Sequence, residues 1–267
     1  MIINGKQITT DVLAQVREGV LSLPHTPVVR AVTVAPSAAT RSYLRIKQKK
    51  AAEAGMILET IELQEDCGTD EVIHAVLTEG ADAIIVQLPL PPSINTHEVL
   101  QHIPLQKDAD ILSDKAKEEF KNKHGLLPPV VGALKEILER ADVAVPGKKV
   151  YVLGKGQLVG LPVSQWLIAS GAEVTVLGKE NTDLSVLQEA DIVVSGVGQA
   201  GLIQKEYVRE GVVLIDAGTS ESEGSIVGDM DPGCALIASV FTPVPGGVGP
   251  VAVAYLFKNV LDLCKRM

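Results

Sequence analysis

Tyr43 and Lys47 lie four residues apart in a stretch that reads as a helix, so both project from one face. A lysine amine that is partly desolvated can have its pKa lowered far enough to manage protons near neutral pH. On spacing alone, Tyr-x-x-x-Lys is also a common solvated surface pair. Gln87 is the single polar side chain closing the apolar run before Leu88-Pro89-Leu90-Pro91, and the prolines stiffen the turn that aims its amide. Its plain alternative is a strand-end amide capping a loop. A second constellation runs from Val150 to Gly160, where Gly154, Lys155 and Gly156 follow a strand-like segment and precede a helix. There, backbone N–H groups and the positive helix end would face a pyrophosphate. The spacing is GxGxxxG, which departs from the standard dinucleotide fingerprint and also suits a mere tight turn. Lys179 closes the next strand, where an acidic residue would bind a ribose 2′-hydroxyl; a lysine suits a 2′-phosphate instead. NADP is therefore expected, with NAD possible. The bland reading of Lys179 is a solvated loop lysine, and Glu180 beside it could offset its charge.

The elements that must position these residues alternate along the chain. Val28–Val34 reads as a strand, Ala38–Gly55 as a helix stopping at Gly55, Ile57–Leu63 as a strand, Thr69–Thr78 as a helix and Ala83–Gln87 as a short buried strand. Between Ser113 and His124 seven of twelve residues are charged, and the first domain edge is expected there. Pro128-Pro129 then opens a helix to Arg140. Strands are expected at Lys149–Leu153, Glu173–Leu177, Ala190–Ser195, Val212–Asp216 and Leu236–Val240, with a helix from the glycine turn to about Ser170. Repeated β–α units favour open parallel sheets with helices on both faces. Near the end, Thr242–Pro250 packs three prolines and three glycines into nine residues, a rigid loop whose backbone can approach another body closely. A helix from Val251 follows it.

Composition narrows the classes. The chain has 267 residues, enough for two ordinary domains; 46% are hydrophobic and 21% charged, a globular balance. Formal net charge is −9 with no dense basic block, which argues against nucleic acid as a partner. Three cysteines without CxxC spacing fit neither a disulfide framework nor a zinc site. A polar start at Asn4-Gly5-Lys6 and the lack of any membrane-length apolar run make a cytoplasmic protein without membrane association the expectation.

Three segments together, Tyr43-Leu-Arg-Ile-Lys47, Val86-Gln87-Leu88-Pro89-Leu90-Pro91 and Thr242–Pro250, resemble the bifunctional methylenetetrahydrofolate dehydrogenase/cyclohydrolase family, and the resemblance runs from Ile2-Ile-Asn-Gly-Lys6 to the C-terminus. It implies an α/β chain of two domains. The N-terminal α/β folate-binding domain would take residues 1–124 plus 251–267, and a Rossmann-like parallel-sheet domain for NAD(P) would take 125–250. The last helix would return to the N-terminal domain, leaving a cleft between the two. The implied reactions are oxidation of 5,10-methylene-tetrahydrofolate by hydride transfer to NADP and hydrolysis of the 5,10-methenyl product to 10-formyl-tetrahydrofolate. Lys47 would be the acid/base group, Tyr43 would orient substrate and lysine, and Gln87 would hold the amine. Lys107-Asp108-Ala109-Asp110 matches a family motif whose second aspartate, here Asp110, binds the pterin ring. Pro245, Gly246 and Gly249 would border the folate. Gly154, Lys155, Gly156, Lys179, Gly198 and Thr219 would contact the cofactor, with Asp216-Ala-Gly218-Thr219 and Gly228-Asp229 matching two further motifs. Lys155 stands where the family has arginine, Gly156 where it has serine and Ile111 where it has glycine. Family analogy also implies a homodimer and tetrahydrofolate derivatives as ligands. A different two-domain NAD(P) oxidoreductase, such as an amino-acid or shikimate dehydrogenase, and a non-catalytic ligand-binding relative remain as alternatives.

Overall fold

The computed structural model describes residues 1–179, 183–222 and 225–266, so Glu180 lies outside the described residues. The chain divides into two units. One comprises Thr10–Pro129 with Val253–Met267, the other Met1–Thr9 with Val130–Ala252. Each is built on a parallel sheet.

Helix α1 (Gly5–Val20), not anticipated from the sequence, leads into the first of these units. Its sheet holds β1 (Val28–Val34), β2 (Ile57–Leu63) and β3 (Ala83–Val86) in the order β2-β1-β3. Val29, Ala31 and Val32 of the central strand are fully buried, as a β-branched strand covered on both faces must be. After β1 comes α2 (Ala38–Glu53), whose start is fixed by Ser37: its Oγ accepts from the Thr40 N–H at 3.1 Å. The helix stops where Gly55 takes φ +77°. Helices α3 (Thr69–Leu77), α4 (Thr96–Gln101) and α5 (Asp114–Lys121) follow, with a 3₁₀ turn at Leu105–Lys107. The charged run after Ser113 is thus largely the helix α5, capped by the Ser113 hydroxyl.

Helix α6 (Pro129–Arg140) opens the second series: β4 (Lys149–Leu153), α7 (Gly160–Ala169), β5 (Glu173–Leu177), β6 (Ile192–Ser195) and β7 (Val213–Asp216). A small antiparallel pair, β8 (Ser220–Ser222) and β9 (Ser225–Val227), precedes the two-residue β10 (Val240–Phe241). The sheet order is β10-β7-β6-β4-β5, all parallel. The first residues of the chain run beside β10, with Ile3 N–H donating to Phe241 O at 2.8 Å. The strand expected at Leu236–Val240 is corrected here. Pro232–Leu236 is a 3₁₀ helix, because Asp231 caps it through the Gly233 N–H at 2.7 Å and Pro232 starts it, which leaves only Val240–Phe241 to pair.

Helix α8 (Val248–Cys264) begins three residues before the expected point. Gly249 and Pro250 therefore lie in its first turn, where proline's missing N–H has no helical partner to lose. From Val253 onward α8 belongs to the three-stranded unit, as a returning last helix should. There Asn259 Nδ2 donates to Ala109 O at 2.9 Å and Leu127 O at 2.8 Å, and Leu261 occupies the space over Gly19 of α1. Among the described residues no helix is long and apolar enough to cross a membrane.

Candidate functional site

In an open parallel sheet the chain reverses its direction of growth at one point, and a crevice opens there beyond the carboxyl ends of the strands. In the three-stranded unit that point lies between β1 and β3. The segments leaving those two strands are the start of α2 and Gln87. Lys47, half-buried on α2, donates from Nζ to Gln87 Oε1 at 3.0 Å. The amide is held from the other side, since Gln87 Nε2 donates to Leu88 O at 3.0 Å and the Gln87 N–H donates to Val32 O at 2.9 Å. The Leu88–Pro89 peptide that follows is cis. A neutral amide acceptor holds the lysine amine whether or not it carries its extra proton, whereas a carboxylate would pin it as the ammonium. Tyr43, one turn earlier on α2, is 43% exposed, so its ring and hydroxyl are open to a ligand.

Asp110 joins this group. It is half-buried, and desolvation pushes its carboxyl above the usual range; the Lys47 ammonium pulls it back and the nearby Asp108 carboxylate raises it further. Its backbone is tethered on both sides. Asp108 is buried and accepts from the Leu112 N–H at 3.1 Å and the Ser113 N–H at 2.8 Å, while Asn259 holds the Ala109 carbonyl. Between these tethers Ile111 adopts φ +58°, a left-handed conformation costly for a β-branched side chain, and it is 5% exposed. The glycine-to-isoleucine departure read from the sequence thus falls where glycine's freedom would be used. Burial of the Ile111 side chain offsets that cost.

In the five-stranded unit the growth direction reverses between β4 and β6. Gly154 takes φ +103°, and a side chain there would press on Gly196 O at 3.1 Å. Gly160, opening α7, packs so closely on the Gly154 carbonyl that any side chain would overlap it. This is the close turn-to-helix approach a bound pyrophosphate requires. Gly156 is different: a side chain there would meet nothing within 4 Å, so local packing does not demand glycine. Lys155 and Lys179 are exposed and stand two residues beyond Leu153 and Leu177, which pair across β4 and β5. Both cations thus sit at neighbouring strand ends. Gly198 (φ +73°) follows β6 and Thr219 follows β7; a side chain at Gly198 would touch Thr219 O at 3.4 Å. The two turns are therefore adjacent.

Pro245, Gly246 and Gly249 belong to the same unit. The Val244–Pro245 peptide is cis and Gly246 has φ +105°. Gly5 donates its N–H to Gly246 O at 2.9 Å, and a side chain at Gly5 would overlap the Gly247 carbonyl. The segment Ile2–Lys6 therefore buttresses the Thr242–Pro250 loop.

Two family models account for most of the sequence. The tetrahydrofolate dehydrogenase/cyclohydrolase catalytic domain matches residues 3–110, and the NAD(P)-binding domain of the same family matches residues 128–267. The chain belongs to the tetrahydrofolate dehydrogenase/cyclohydrolase family. Bifunctional protein FolD of Staphylococcus aureus (strain Newman) is 35% identical over 277 residues, covering 100% of this chain and 96% of that protein. Among solved structures, the bifunctional FolD dehydrogenase/cyclohydrolase of Campylobacter jejuni superposes with a TM-score of 0.96 at 27% identity, covering 100% of this chain and 99% of that one. The Trypanosoma brucei FolD, solved with NADP cofactor and inhibitor, gives 0.94 at 32% identity, covering 100% and 97%. As a member of the tetrahydrofolate dehydrogenase/cyclohydrolase family, the chain carries both its catalytic and its NAD(P)-binding domain.

Sequence reasoning missed several supports of these sites. Asp108 was read only as part of the motif Lys107-Asp108-Ala109-Asp110, without a role, and Asn259 carried no local signal beyond residue type. Asp216 and Asp229 were visible only within Asp216-Ala-Gly218-Thr219 and Gly228-Asp229; both are buried carboxylates that accept from backbone N–H groups, and Asp229 accepts from the Ser195 hydroxyl as well.

Proposed function

We propose that this chain oxidises 5,10-methylene-tetrahydrofolate with NADP and hydrolyses the 5,10-methenyl product to 10-formyl-tetrahydrofolate, a step of one-carbon metabolism. The observation that carries the reading is the 3.0 Å contact between Lys47 Nζ and Gln87 Oε1 at the carboxyl end of the three-stranded sheet. In the hydrolytic step water adds to the methenyl carbon and must shed a proton as the new carbon–oxygen bond forms. Lys47, kept in place by the neutral Gln87 amide, takes that proton and gives it to the ring nitrogen as the carbon–nitrogen bond breaks, while the carbinol hydroxyl loses its remaining proton to solvent as the formyl C=O forms, the one net proton released. Tyr43 orients the substrate beside the amine. Asp110, held by its backbone tethers, accepts hydrogen bonds from the donor edge of the pterin, and Pro245, Gly246 and Gly249 border the folate.

The five-stranded unit fits a dinucleotide at Gly154, Lys155, Gly156, Gly198 and Thr219, because its glycine turn brings the end of β4 close against the start of α7. Bound NADP supplies the hydride acceptor. Lys155 and Lys179 favour NADP over NAD by meeting the 2′-phosphate, a preference supported by the NADP in the related trypanosomal structure. We further propose a cytoplasmic homodimer feeding purine synthesis, on family analogy.

A spectrophotometric assay with methylene-tetrahydrofolate and each nicotinamide cofactor, followed by decay of the methenyl chromophore, tests the reading. Reduction of NADP with subsequent loss of the methenyl absorbance is expected. Ligand binding without turnover would instead identify a non-catalytic relative.

A further inference from the structure

Asp216 at the end of β7 and Asp229 after β9 exchange places across two glycines. A side chain at Gly218 would overlap the Asp229 carboxylate, and one at Gly228 would overlap the Asp216 carboxylate. Each carboxylate therefore fills the space that its partner's neighbouring glycine leaves open. Asp229 is fully buried. Its Oδ2 accepts from Ser195 Oγ at 2.6 Å and from the Val197 N–H at 2.8 Å, and its Oδ1 accepts from the Gln199 N–H at 2.7 Å. Asp216, 2% exposed, accepts from the Gly218 N–H and the Met230 N–H, both at 2.9 Å, while its own N–H donates to Thr242 Oγ1 at 2.6 Å.

Two carboxylates buried side by side are costly, and among the described residues no lysine or arginine is a hydrogen-bond partner of either. What they hold explains the arrangement. Val197 and Gln199 flank Gly198, and Gly218 precedes Thr219. Gly198 and Thr219 are themselves exposed, so buried carboxylates fix the backbone of two exposed, adjacent turns. Three main-chain donors of these turns, the Val197, Gln199 and Gly218 N–H groups, are satisfied by the two carboxylates.

We infer that Asp229 and Asp216 are positioning residues for the nicotinamide cofactor: clasped across Gly218 and Gly228, they set the turns at Gly198 and Thr219 against which it is held. This rests on the proposed placement of the cofactor at those turns. In Asp229→Asn one acceptor oxygen becomes a donor. It must then face the Gln199 N–H or the Val197 N–H, so one turn is released while volume is kept.

The test measures NADPH binding by nicotinamide fluorescence, KM for NADP and for methylene-tetrahydrofolate, and methenyl hydrolysis without cofactor. For Asp229→Asn, Kd for NADPH and KM for NADP should rise about tenfold or more. KM for the folate and cofactor-free hydrolysis should stay within about twofold. Should that variant fail to fold, Ser195→Ala removes one of the three contacts to Asp229 and should weaken NADPH by a smaller factor with hydrolysis retained. Unchanged NADPH affinity in a folded variant, or equal loss of both activities, would overturn the inference. Wild type that binds NADPH but does not reduce NADP with the folate would instead overturn the proposed reaction and leave the binding arm to decide the inference.

Discussion

The two units use the same topology to opposite ends. At the carboxyl edge of the three-stranded sheet the structure presents side chains: a lysine, a glutamine and an aspartate from three separate segments, with Lys47 and Gln87 in direct contact. At the carboxyl edge of the five-stranded sheet it presents glycine turns. Gly154 and Gly198 take positive φ, the buried Asp216 and Asp229 hold the backbone around Gly198 and Thr219, and the exposed Lys155 and Lys179 stand just beyond neighbouring strand ends. Chemistry that moves protons needs titratable groups in reach of substrate. Holding a dinucleotide whose own ring does the chemistry needs fixed dipoles, and buried carboxylates can fix them without touching the ligand.

The comparison predicts where damage will show. Lys47→Ala should have the largest effect, a loss of about 10²–10⁴-fold in methenyl hydrolysis, the range expected for removing a general acid/base. NADPH affinity should be unchanged, and retention of most hydrolysis would break the assignment.

Next is the pH dependence set by Asp216, which desolvation above all, with the Asp229 carboxylate adding, pushes from 3.8 to about 6. The folded chain holds this proton more tightly than the unfolded chain does. The contribution is therefore complete below about pH 4 and is lost as pH rises through 6, about 3 kcal/mol in all. Denaturant titrations from pH 4 to 7 should show Asp216→Asn gaining on wild type by that order. Parallel curves would mean that the two carboxyls divide the proton differently.

Asp110→Ala should weaken folate binding by about 1.5–3 kcal/mol, or roughly one to two decades, and NADPH binding hardly at all. Equal weakening of both ligands in a titration would turn Asp110 into a purely structural residue. The smallest effect concerns Ile111. Truncation to Ala or Gly loses its buried side chain in either case, but at φ +58° Gly escapes the left-handed penalty that Ala retains. Ile111→Gly should thus be more stable than Ile111→Ala by about 1 kcal/mol, reversing their usual order, with unfolding midpoints as the measure.

Much of this was legible along the chain. The bounds of β1 and β2 follow from β-branched runs, the stop of α2 from Gly55, and the shared face of Tyr43 and Lys47 from a spacing of four on a helix. These are local properties, because helix period and glycine's conformational range act over a few residues. The strand expected at Leu236–Val240 shows their limit: a 3₁₀ turn started by Pro232 and capped by Asp231 takes its first residue, and only its last, Val240, pairs in the sheet. The remaining features depend on contacts between distant residues. Gly5 must be glycine because the Gly247 carbonyl lies against it, Asn259 acts on carbonyls 150 and 132 residues away, and Asp216 and Asp229 matter only because each lies over the other's glycine. Residue type and spacing determined which groups could do chemistry here, since reactivity belongs to the side chain. Only the tertiary structure decided which backbone turns are held and by what, since a buried carboxylate has no role until folding brings it donors.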